Sequence, residues 1–388
     1  MSYKAHFGQA LEAAPGRLHF AAHSHHPWPD VTREAQLAAW DLAARHLDGK
    51  WELLFDRVVP EAAGHVARRL ALPDPATVAF APNTHEFLLR ILSCVPPGVS
   101  RVLTSDAEFH TAERQLRRLE EAGAATVTRV AAEPFDSFPD RFVDAARAGA
   151  HDLVLVSHVF FSSGYVVPDL PGLVAALPED PLVLLDGYHG FMAVPTDLSG
   201  IADRAFYTAG AYKYAMAGEG ACFLHCPPGW GPRPRDTGWF AAFGARDEGA
   251  ADRVAYPDDG RRFLGATFDP TGILRFNAAQ RWVDEMGLDV AAIHAHVGGL
   301  QQQALDMLSA GAVGAVDLDG LVPPPWVPDR GHFLTFETPE AGALQARLAE
   351  RDVVTDRRGD RIRFGFGIYH DPADIDALFD RLTEVAGA

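Results

Sequence analysis

The sequence predicts an α/β fold in which a large unit with a mostly parallel sheet is followed by a smaller α+β unit. Short apolar runs bounded by turn residues recur between residues 77 and 225, and such runs are typical of strands buried on both faces. Strand and helix patterns alternate again over residues 331–388, which indicates a compact α+β unit. A chain of 388 residues is also too long for one small core.

The predicted elements of the large unit follow in chain order. A helical pattern covers Thr32–Leu54, and a second helix covers residues 61–75. Seven strands come next, with a helix at Glu86–Cys94 after the first of them, and a long helical stretch interrupted by Gly287 covers residues 272–310. The strands are Thr77–Phe80, Arg101–Ser105, Thr126–Val130, Leu153–Ser157, Leu182–Asp186, Ala205–Tyr207 and Ala221–His225.

The small unit has its own predicted elements. These are the strands His332–Glu337, Val353–Thr355 and Ile362–Phe366, and the helices Pro339–Arg351 and Pro372–Thr383. We therefore expect an N-terminal segment at residues 1–60, a large domain at 61–283 and a small C-terminal domain at 284–388.

The composition excludes several classes of protein. A net charge of −18 argues against binding to nucleic acid or to anionic membranes. No apolar run reaches the length of about 18 residues that a membrane span needs, and the N-terminus lacks a signal pattern, so a cytoplasmic protein is expected. Three cysteines are too few for a disulfide framework and fit a reducing compartment.

The stretch Leu182–His225 contains the residues that indicate chemistry. Its first apolar run ends in Asp186, and His189 follows three residues later. Its second run leads into Tyr212 and Lys213. Because ligands of an open parallel sheet bind beyond the carboxyl ends of the strands, we expect Asp186 and Lys213 to face one site.

A carboxylate and a lysine at neighbouring strand ends are the pair that pyridoxal phosphate requires. The lysine amine bonds to the cofactor aldehyde, and the carboxylate keeps the pyridine nitrogen protonated so that the ring can take up electrons. The alternative is that Asp186 caps a helix and Lys213 is a solvated loop residue. The combined spacing of Asp-x-x-His and Tyr-Lys favours the first interpretation, with Asp186 and Lys213 as catalytic residues.

These motifs resemble those of a known family. Asp186-Gly187-Tyr188-His189 and Tyr212-Lys213 resemble the cofactor motifs of the class V aminotransferase superfamily, and of its kynureninase branch in particular. The resemblance covers most of the chain. It implies the pyridoxal-phosphate transferase fold type I, with a mostly parallel seven-stranded sheet in the large domain and a smaller C-terminal α+β domain. It also implies pyridoxal 5'-phosphate as the cofactor, an α-amino acid as the substrate, and residues 1–60 as a lining of the active site.

A candidate phosphate cradle precedes the predicted helix Glu86–Cys94. Asn83 and Thr84 are small polar residues at the helix start, where free backbone N–H groups and the helix dipole favour an anion. An ordinary helix N-cap is the alternative. The resemblance favours the phosphate, because the family binds its phosphate at this position.

The loop after the second predicted strand contains two aromatic candidates. The family places a ring-stacking residue here, and both Phe109 and His110 fit, with Phe109 favoured. Alternatively, Phe109 belongs to the core and His110 is exposed. Ser157, at the end of a later strand, is expected to bond the ring hydroxyl or Asp186, or else to be a strand-end polar residue with no such role.

The Arg361-Ile362-Arg363-Phe364-Gly365-Phe366 stretch resembles the Arg-Phe-Gly-Phe motif of kynureninases. Strand alternation puts Arg361 and Arg363 on one face, so spacing does not choose between them. The motif selects Arg363 as the bidentate clamp for the substrate α-carboxylate. The alternative is a surface salt bridge to Asp356 or Asp360, which fits Arg361 better than Arg363.

Two further motifs imply a shared site. Gly238-Trp239-Phe240 resembles a family motif whose Trp contacts the cofactor phosphate from the neighbouring subunit. The Arg261–Thr267 stretch resembles another class V motif, in which Thr267 is the second subunit's phosphate hydroxyl. The resemblance therefore implies a homodimer with shared active sites.

The reaction is less well specified than the cofactor. Tyr212-Lys213 and the Arg363 motif favour kynureninase-like hydrolytic cleavage of the Cβ–Cγ bond or a related side-chain cleavage. Ala112 stands where kynureninases have Asp, and their Gly-Asn-Ser-Leu-Gly stretch is missing from the N-terminal segment. A class V aminotransferase is therefore the alternative. Cysteine desulfurase chemistry is disfavoured, because no cysteine follows Cys226 to act as the mobile-loop nucleophile.

Other classes of protein lack their required motifs. A nucleotide-binding oxidoreductase needs G-x-G-x-x-G after its first strand, and the sequence has none. The histidines at positions 19, 23, 25 and 26 are candidate metal ligands, but no carboxylate or cysteine completes a convincing spacing. No metal is therefore expected.

Overall fold

The computed structural model describes residues 2–228, 232–242 and 253–387. The helices are α1 (Gly8–Glu12), α2 (Val31–His46), α3 (Lys50–Leu53), α4 (Val59–Leu70), α5 (Thr84–Cys94), α6 (His110–Glu121), α7 (Phe138–Ala148), α8 (Leu170–Ala176), α9 (Thr271–Glu285), α10 (Val290–Ser309), α11 (Ala341–Ala349) and α12 (Pro372–Ala386). The strands are β1 (Leu18–His19), β2 (Val78–Ala81), β3 (Ser100–Ser105), β4 (Ala125–Val130), β5 (Leu153–Ser157), β6 (Leu182–Asp186), β7 (Phe206–Gly210), β8 (Cys222–His225), β9 (Leu321–Val322), β10 (Phe333–Glu337), β11 (Val353–Val354), β12 (Asp356–Arg358) and β13 (Arg361–Gly365).

The large sheet has seven strands in the order β2-β8-β7-β6-β5-β3-β4. Strand β8 is antiparallel to both of its neighbours, and the other neighbouring strands are parallel. Parallel neighbours need crossover connections, which α6, α7 and α8 supply between successive strands from β3 to β6. The predicted mostly parallel seven-stranded sheet is therefore confirmed.

Both faces of this sheet are covered by helices. Along β6, Val183 and Leu185 pack into the core that includes α4, α7, α8 and α9, whereas Leu182 and Leu184 pack into the core that includes α5 and α6. Side chains alternate between faces along a strand, so continuous apolar runs are required when both faces are buried. This double burial explains why the strands were visible in the sequence.

The smaller sheet has four antiparallel strands in the order β12-β13-β10-β9. Its apolar face forms a separate core with α10, α11 and α12, where Phe336 and Ile362 meet Leu344 and Leu378. The N-terminal segment reaches this unit, since β1 pairs with β11 and Ala21 bridges Gly365. The domain boundaries at residues 60 and 283 remain a prediction.

Two predicted helical stretches have different outcomes. The stretch at 272–310 is divided into α9 and α10 around Gly287, as predicted, and Gly287 adopts a φ of 65°. The predicted single helix Thr32–Leu54 is wrong, because α2 ends at His46 and Leu47 takes a φ of 46° before the chain turns. Within the described residues, no helix combines the length and apolar composition that a membrane crossing requires.

Candidate active site

The carboxyl ends of β5, β6 and β7 meet at one edge of the large sheet. Ser157 and Asp186 are register partners at the ends of β5 and β6, and Asp186 is in turn paired with Thr208 of β7. Lys213 follows the end of β7 by three residues. The parallel register therefore brings the polar groups at the strand ends together. This edge, beyond the carboxyl ends of the strands, is where open parallel sheets bind their ligands.

These groups line a pocket of about 180 Å³. Eight of the predicted site residues lie in its wall: Asn83, Thr84, Phe109, Ser157, Asp186, His189, Tyr212 and Lys213. The wall is completed by residues that the sequence analysis did not select, among them Leu155, Phe161, Leu184, Tyr188 and Thr208. His110, Trp239, Thr267 and Arg363 lie outside this wall.

Lys213 is buried in an apolar and aromatic surrounding. Its Nζ lies 4.9 Å from the ring centre of Tyr188 and 5.2 Å from that of Phe109, and its side chain is 4% exposed. Burial lowers the pKa of Lys213, and the charge of Arg363 lowers it further, while the nearby carboxylate of Asp186 opposes the change. A lysine with a lowered pKa is more often a neutral amine and hence a nucleophile.

His189 is the hydrogen-bond partner of Lys213. The Lys213 Nζ lies 2.7 Å from Nε2 of His189. Burial holds the pKa of His189 well below its usual value, and the positive charge of Lys213 adds to this effect. The imidazole is therefore neutral and accepts a hydrogen bond from the lysine, which fixes the direction of the amine.

Asp186 supplies the acidic group of the pocket. One of its oxygens accepts a hydrogen bond of 2.9 Å from the backbone N–H of Tyr188. Burial raises the pKa of this carboxyl, and the Tyr188 bond and the charge of Lys213 oppose the rise. Among the described residues, no salt bridge with an N–O distance of up to 4 Å joins Asp186 to Lys213. The Lys213 amine and the Asp186 carboxylate thus line one pocket without forming a salt bridge to each other.

Glu108 is a buried carboxyl group that the sequence analysis missed. Its oxygens accept hydrogen bonds of 2.6 Å from the Ser105 and Ser157 hydroxyls and 3.1 Å from the Ser157 N–H. Ser157 therefore donates its hydrogen bonds to Glu108. It does not donate to Asp186, which was one of the two partners expected from the sequence. Burial raises the pKa of Glu108 to about 7, and the charge of Asp186 contributes to the rise. No residue spacing indicates this contact, because its partners are 49 residues apart in the chain.

The start of α5 borders the pocket. Asn83 is the N-cap of this helix, and its Oδ1 accepts a hydrogen bond of 3.1 Å from the Glu86 N–H. Both Asn83 and Thr84 also line the pocket. The capping role is thus observed, and the position of the helix N-terminus is compatible with an anion in the pocket.

The two aromatic candidates both contact Phe161, but they differ in exposure and in their position relative to the pocket. Phe109 is half-buried in the pocket wall, with its ring edge-on to Phe161 at 5.5 Å. His110 is exposed at the start of α6 and lies 5.1 Å from the Phe161 ring. Phe109 therefore lines the pocket and His110 does not, and ring stacking by either residue remains a prediction.

Arg363 and Arg361 differ in their partners. Arg363 is 2% exposed and is bonded to the carboxylate of Asp356 and to the Phe161 carbonyl. Arg361 pairs instead with Glu133 at 2.7 Å and Glu337 at 2.8 Å. The expectation that a salt bridge to Asp356 fits Arg361 better was wrong, because antiparallel pairing places Asp356 directly opposite Arg363.

Trp239 and Thr267 contact each other and are not among the residues that line this pocket. The Trp239 indole N–H donates a hydrogen bond of 3.2 Å to the Thr267 hydroxyl, and the Trp239 side chain is 45% exposed. Contact of these two side chains with the cofactor phosphate of a neighbouring subunit remains a prediction.

The N-terminal histidines have separate environments. His23 and His26 are buried, whereas His25 is exposed and its ring stacks on Tyr212. Across the described parts of the chain, no three His, Cys, Asp or Glu side chains are grouped to hold a metal ion.

Comparisons with known proteins give sequence relatives and fold relatives. No family model matches the chain. It is 32% identical to a kynureninase of Pseudomonas fluorescens in an alignment of 228 residues that covers 55% of this chain and 51% of the relative. It is 30% identical over 232 residues to a kynureninase of Burkholderia mallei, with the same coverage. The chain spans about half the length of the curated relatives it matches.

The solved structures share the fold over nearly the whole chain. A cystine C-S lyase in complex with cysteine persulfide has a TM-score of 0.78 at 16% identity and covers 96% of this chain and 99% of its own. A variant of that lyase, with glycine covalently linked to its pyridoxal phosphate, has a TM-score of 0.77 at 16% identity and covers 97% and 99%. A cysteine desulfurase of Thermococcus onnurineus has a TM-score of 0.81 at 14% identity and covers 100% and 98%. The predicted fold type I is confirmed.

Proposed function

We propose that this chain, which is kynureninase-like in sequence and has the fold of the class V superfamily, uses pyridoxal 5'-phosphate to act on an α-amino acid. One observation carries the proposal: the buried amine of Lys213 and the carboxylate of Asp186 lie at neighbouring strand ends in the wall of one pocket. This pair is what the cofactor requires of its protein.

The other groups in the pocket fit the same cofactor. Phe109 offers a flat ring to stack on the pyridine, and the α5 N-terminus at Asn83 and Thr84 offers backbone N–H groups to the phosphate. His189, Tyr212 and Ser157 line the remaining wall. We assign all of them to cofactor binding, with Phe109 rather than His110 above the ring.

When bound, pyridoxal phosphate supplies an aldehyde that bonds to amines and a protonated ring that takes up an electron pair from the substrate α-carbon. Lys213 would hold the cofactor through its amine, and as a free base it would take the proton from the substrate α-carbon. Asp186 keeps the ring nitrogen protonated. Arg363 binds the α-carboxylate and orients the substrate.

We infer a kynureninase-like cleavage of the substrate side chain as the reaction. The supporting observations are the identities of 30–32% to kynureninases over about 55% of the chain. The absence of the kynureninase Asp at Ala112 keeps a class V aminotransferase as the competing outcome. Incubation with L-kynurenine in the absence of any keto acid distinguishes them, because hydrolytic cleavage needs only water and releases alanine and an aromatic acid, whereas transamination cannot turn over without a keto acid to accept the amino group.

We also propose a homodimer in which Trp239 and Thr267 reach the phosphate of the partner subunit. These two side chains are hydrogen-bonded to each other, which is compatible with both of them contacting the same phosphate. Sedimentation of the loaded protein measures its oligomeric state, and a monomer with full activity contradicts this part of the proposal.

Trapping of the cofactor tests the central assignment. The chain contains only three lysines, Lys4, Lys50 and Lys213, so borohydride reduction followed by peptide mapping can identify the bonded amine without ambiguity. We expect the reduced cofactor on Lys213, a visible absorbance band that shifts on adding amino acid, and loss of covalent trapping in Lys213→Ala. Lys50→Ala is the matched control and keeps all three properties. Trapping on another lysine, or a protein that cannot bind the cofactor, contradicts the proposal.

A further inference from the structure

Arg363 belongs to a polar cluster on one face of the small sheet. Antiparallel pairing places Asp356 of β12 and Thr335 of β10 directly opposite Arg363 of β13. Arg358, also on β12, contributes the second guanidinium, whose Nη1 lies 2.7 Å from the Asp356 Oδ1. His23 of the N-terminal segment brings its Nε2 to 3.7 Å from the Asp356 Oδ2. The cluster thus joins three parts of the chain around one carboxylate.

Asp356 is held in place by its own strand. Its Oδ1 accepts hydrogen bonds from the Arg357 backbone N–H at 2.6 Å and from Arg358 at 2.7 Å. Its Oδ2 is left for Arg363 and His23. Because both oxygens have partners and one is bound to the adjacent backbone, this carboxylate is a fixed acceptor rather than a mobile one.

The Arg363 guanidinium is in turn fixed from two sides. Its Nη2 donates to Asp356 and its Nη1 donates to the Phe161 carbonyl, while the rings of Phe161 and Phe333 each lie 5.8 Å from its central carbon. The Nε is buried and has no hydrogen-bond partner. A buried N–H without a partner is costly, so this donor points to a ligand.

The cluster keeps a net positive charge despite the carboxylate. Two guanidinium groups face one ionised Asp356. Burial raises the pKa of this carboxyl, but His23 and the charges of Arg363 and Arg358 outweigh burial and hold the pKa far below its usual range. His23 is neutral, since burial lowers its pKa to about 3. One unit of positive charge therefore remains beside Lys213 to attract an anion.

We propose that Asp356 is a positioning residue that holds the Arg363 guanidinium in the plane needed to bind the substrate carboxylate. This inference rests on the proposed role of Arg363 as the carboxylate clamp. A bidentate clamp loses affinity when its plane is free to rotate, because the geometry of both bonds must be satisfied at once. Arg358 compensates the charge of Asp356 so that the clamp stays cationic.

The variant Asp356→Asn tests the proposal through the sign of its effect. Removal of a negative charge beside Arg363 should tighten carboxylate binding if charge alone matters. Asparagine has only one acceptor oxygen and no charge, so its amide cannot accept from both Arg358 and Arg363. Loss of the charged hydrogen bond to Arg363 should weaken carboxylate binding. We expect the dissociation constant of L-alanine, measured from the absorbance change of the loaded protein, to rise at least about tenfold, as befits the loss of one hydrogen bond to a charged group. The dissociation constant of L-alaninamide, which lacks the carboxylate, should stay within about twofold.

Controls separate the possible failures. Asp356→Glu retains the charge and should restore part of the preference for L-alanine, whereas Arg361→Gln, on the same strand, should leave it unchanged. If Arg363→Gln leaves the wild-type preference for L-alanine over L-alaninamide intact, the clamp itself is wrong. If the preference for L-alanine over L-alaninamide depends on Arg363 but is retained or increased in Asp356→Asn, the positioning role of Asp356 is overturned. Cofactor binding and the melting temperature of each loaded variant identify any that fail to fold.

Discussion

Behind Ser157, which lines the pocket, Glu108 places a second carboxyl group within electrostatic reach of Asp186. Its three hydrogen bonds are buried, and they link the loop after β3 to the end of β5. Because its surroundings raise its pKa to about 7, Glu108 holds a proton at pH values at which most glutamates have lost theirs. Its protonation is therefore coupled to folding.

The variant Glu108→Gln makes this coupling measurable. The pKa of Glu108 rises from 4.5 to about 7 on folding, so the stabilisation by its proton is complete below pH 4.5 and is lost as pH rises through 7. We expect the free energy of unfolding of Glu108→Gln, relative to wild type, to increase by as much as about 3 kcal/mol between pH 5 and pH 8. Urea denaturation across this range measures the difference. A difference that does not vary with pH, as expected for the exposed control Glu121→Gln, contradicts the assignment.

Among the elements, β13 depends on a close approach by the N-terminal segment. The backbone N–H of Gly365, the last residue of β13, donates a hydrogen bond of 2.7 Å to the Phe20 carbonyl. A Cβ on Gly365 would collide with His23 and lie 3.0 Å from the backbone nitrogen of Ala22. Glycine is thus required by space at this position.

The variant Gly365→Ala should separate the segment from the strand. We expect a loss of about 1 to 3 kcal/mol in the free energy of unfolding, which is typical of overpacking, and faster proteolysis within residues 1–30. Gly298→Ala is a matched control, because a Cβ there meets open space within α10 and should add about 0.5 to 1 kcal/mol through helix propensity. Equal effects of the two substitutions on thermal unfolding and proteolysis would show that the contact does not matter.

Over the whole molecule, many histidines are buried in the neutral form. Burial lowers the pKa of nine described histidines, at positions 19, 23, 26, 65, 158, 189, 225, 332 and 370. In the unfolded chain each takes up a proton below about pH 6.5. Their contribution to stability is therefore present above pH 6.5 and is lost as pH falls below it.

We expect the melting temperature to fall steeply between pH 7 and pH 5. Each buried histidine contributes up to about 1.4 kcal/mol per pH unit in this range. Scanning calorimetry at several pH values measures the slope, and His158→Gln should reduce it, because the pKa of His158 is lowered to about 4 by burial. Replacement of the exposed His46 with Gln serves as the control. A melting temperature that is constant over this range contradicts the prediction.

The sequence was most informative where burial leaves a periodic pattern. The strand bearing Asp186 was predicted at its observed bounds, because a strand covered on both faces must be apolar throughout. The pocket wall formed by Asp186, Lys213 and Phe109 follows from strand order. In contrast, the contact between Glu108 and Ser157 joins residues that are 49 positions apart, and the pairing of Asp356 with Arg363 depends on strand register. The spacing of apolar residues specifies neither of these contacts.

The position of the N-terminal segment has a consequence for biosynthesis. Leu18 and His19 pair with Val353 and Val354, and Lys4 bonds to Asp374, so residues translated early have partners that are translated hundreds of residues later. While the ribosome is still extending the chain, this segment has none of these partners. Its docking beside Arg363 is therefore a late event in the maturation of the nascent polypeptide.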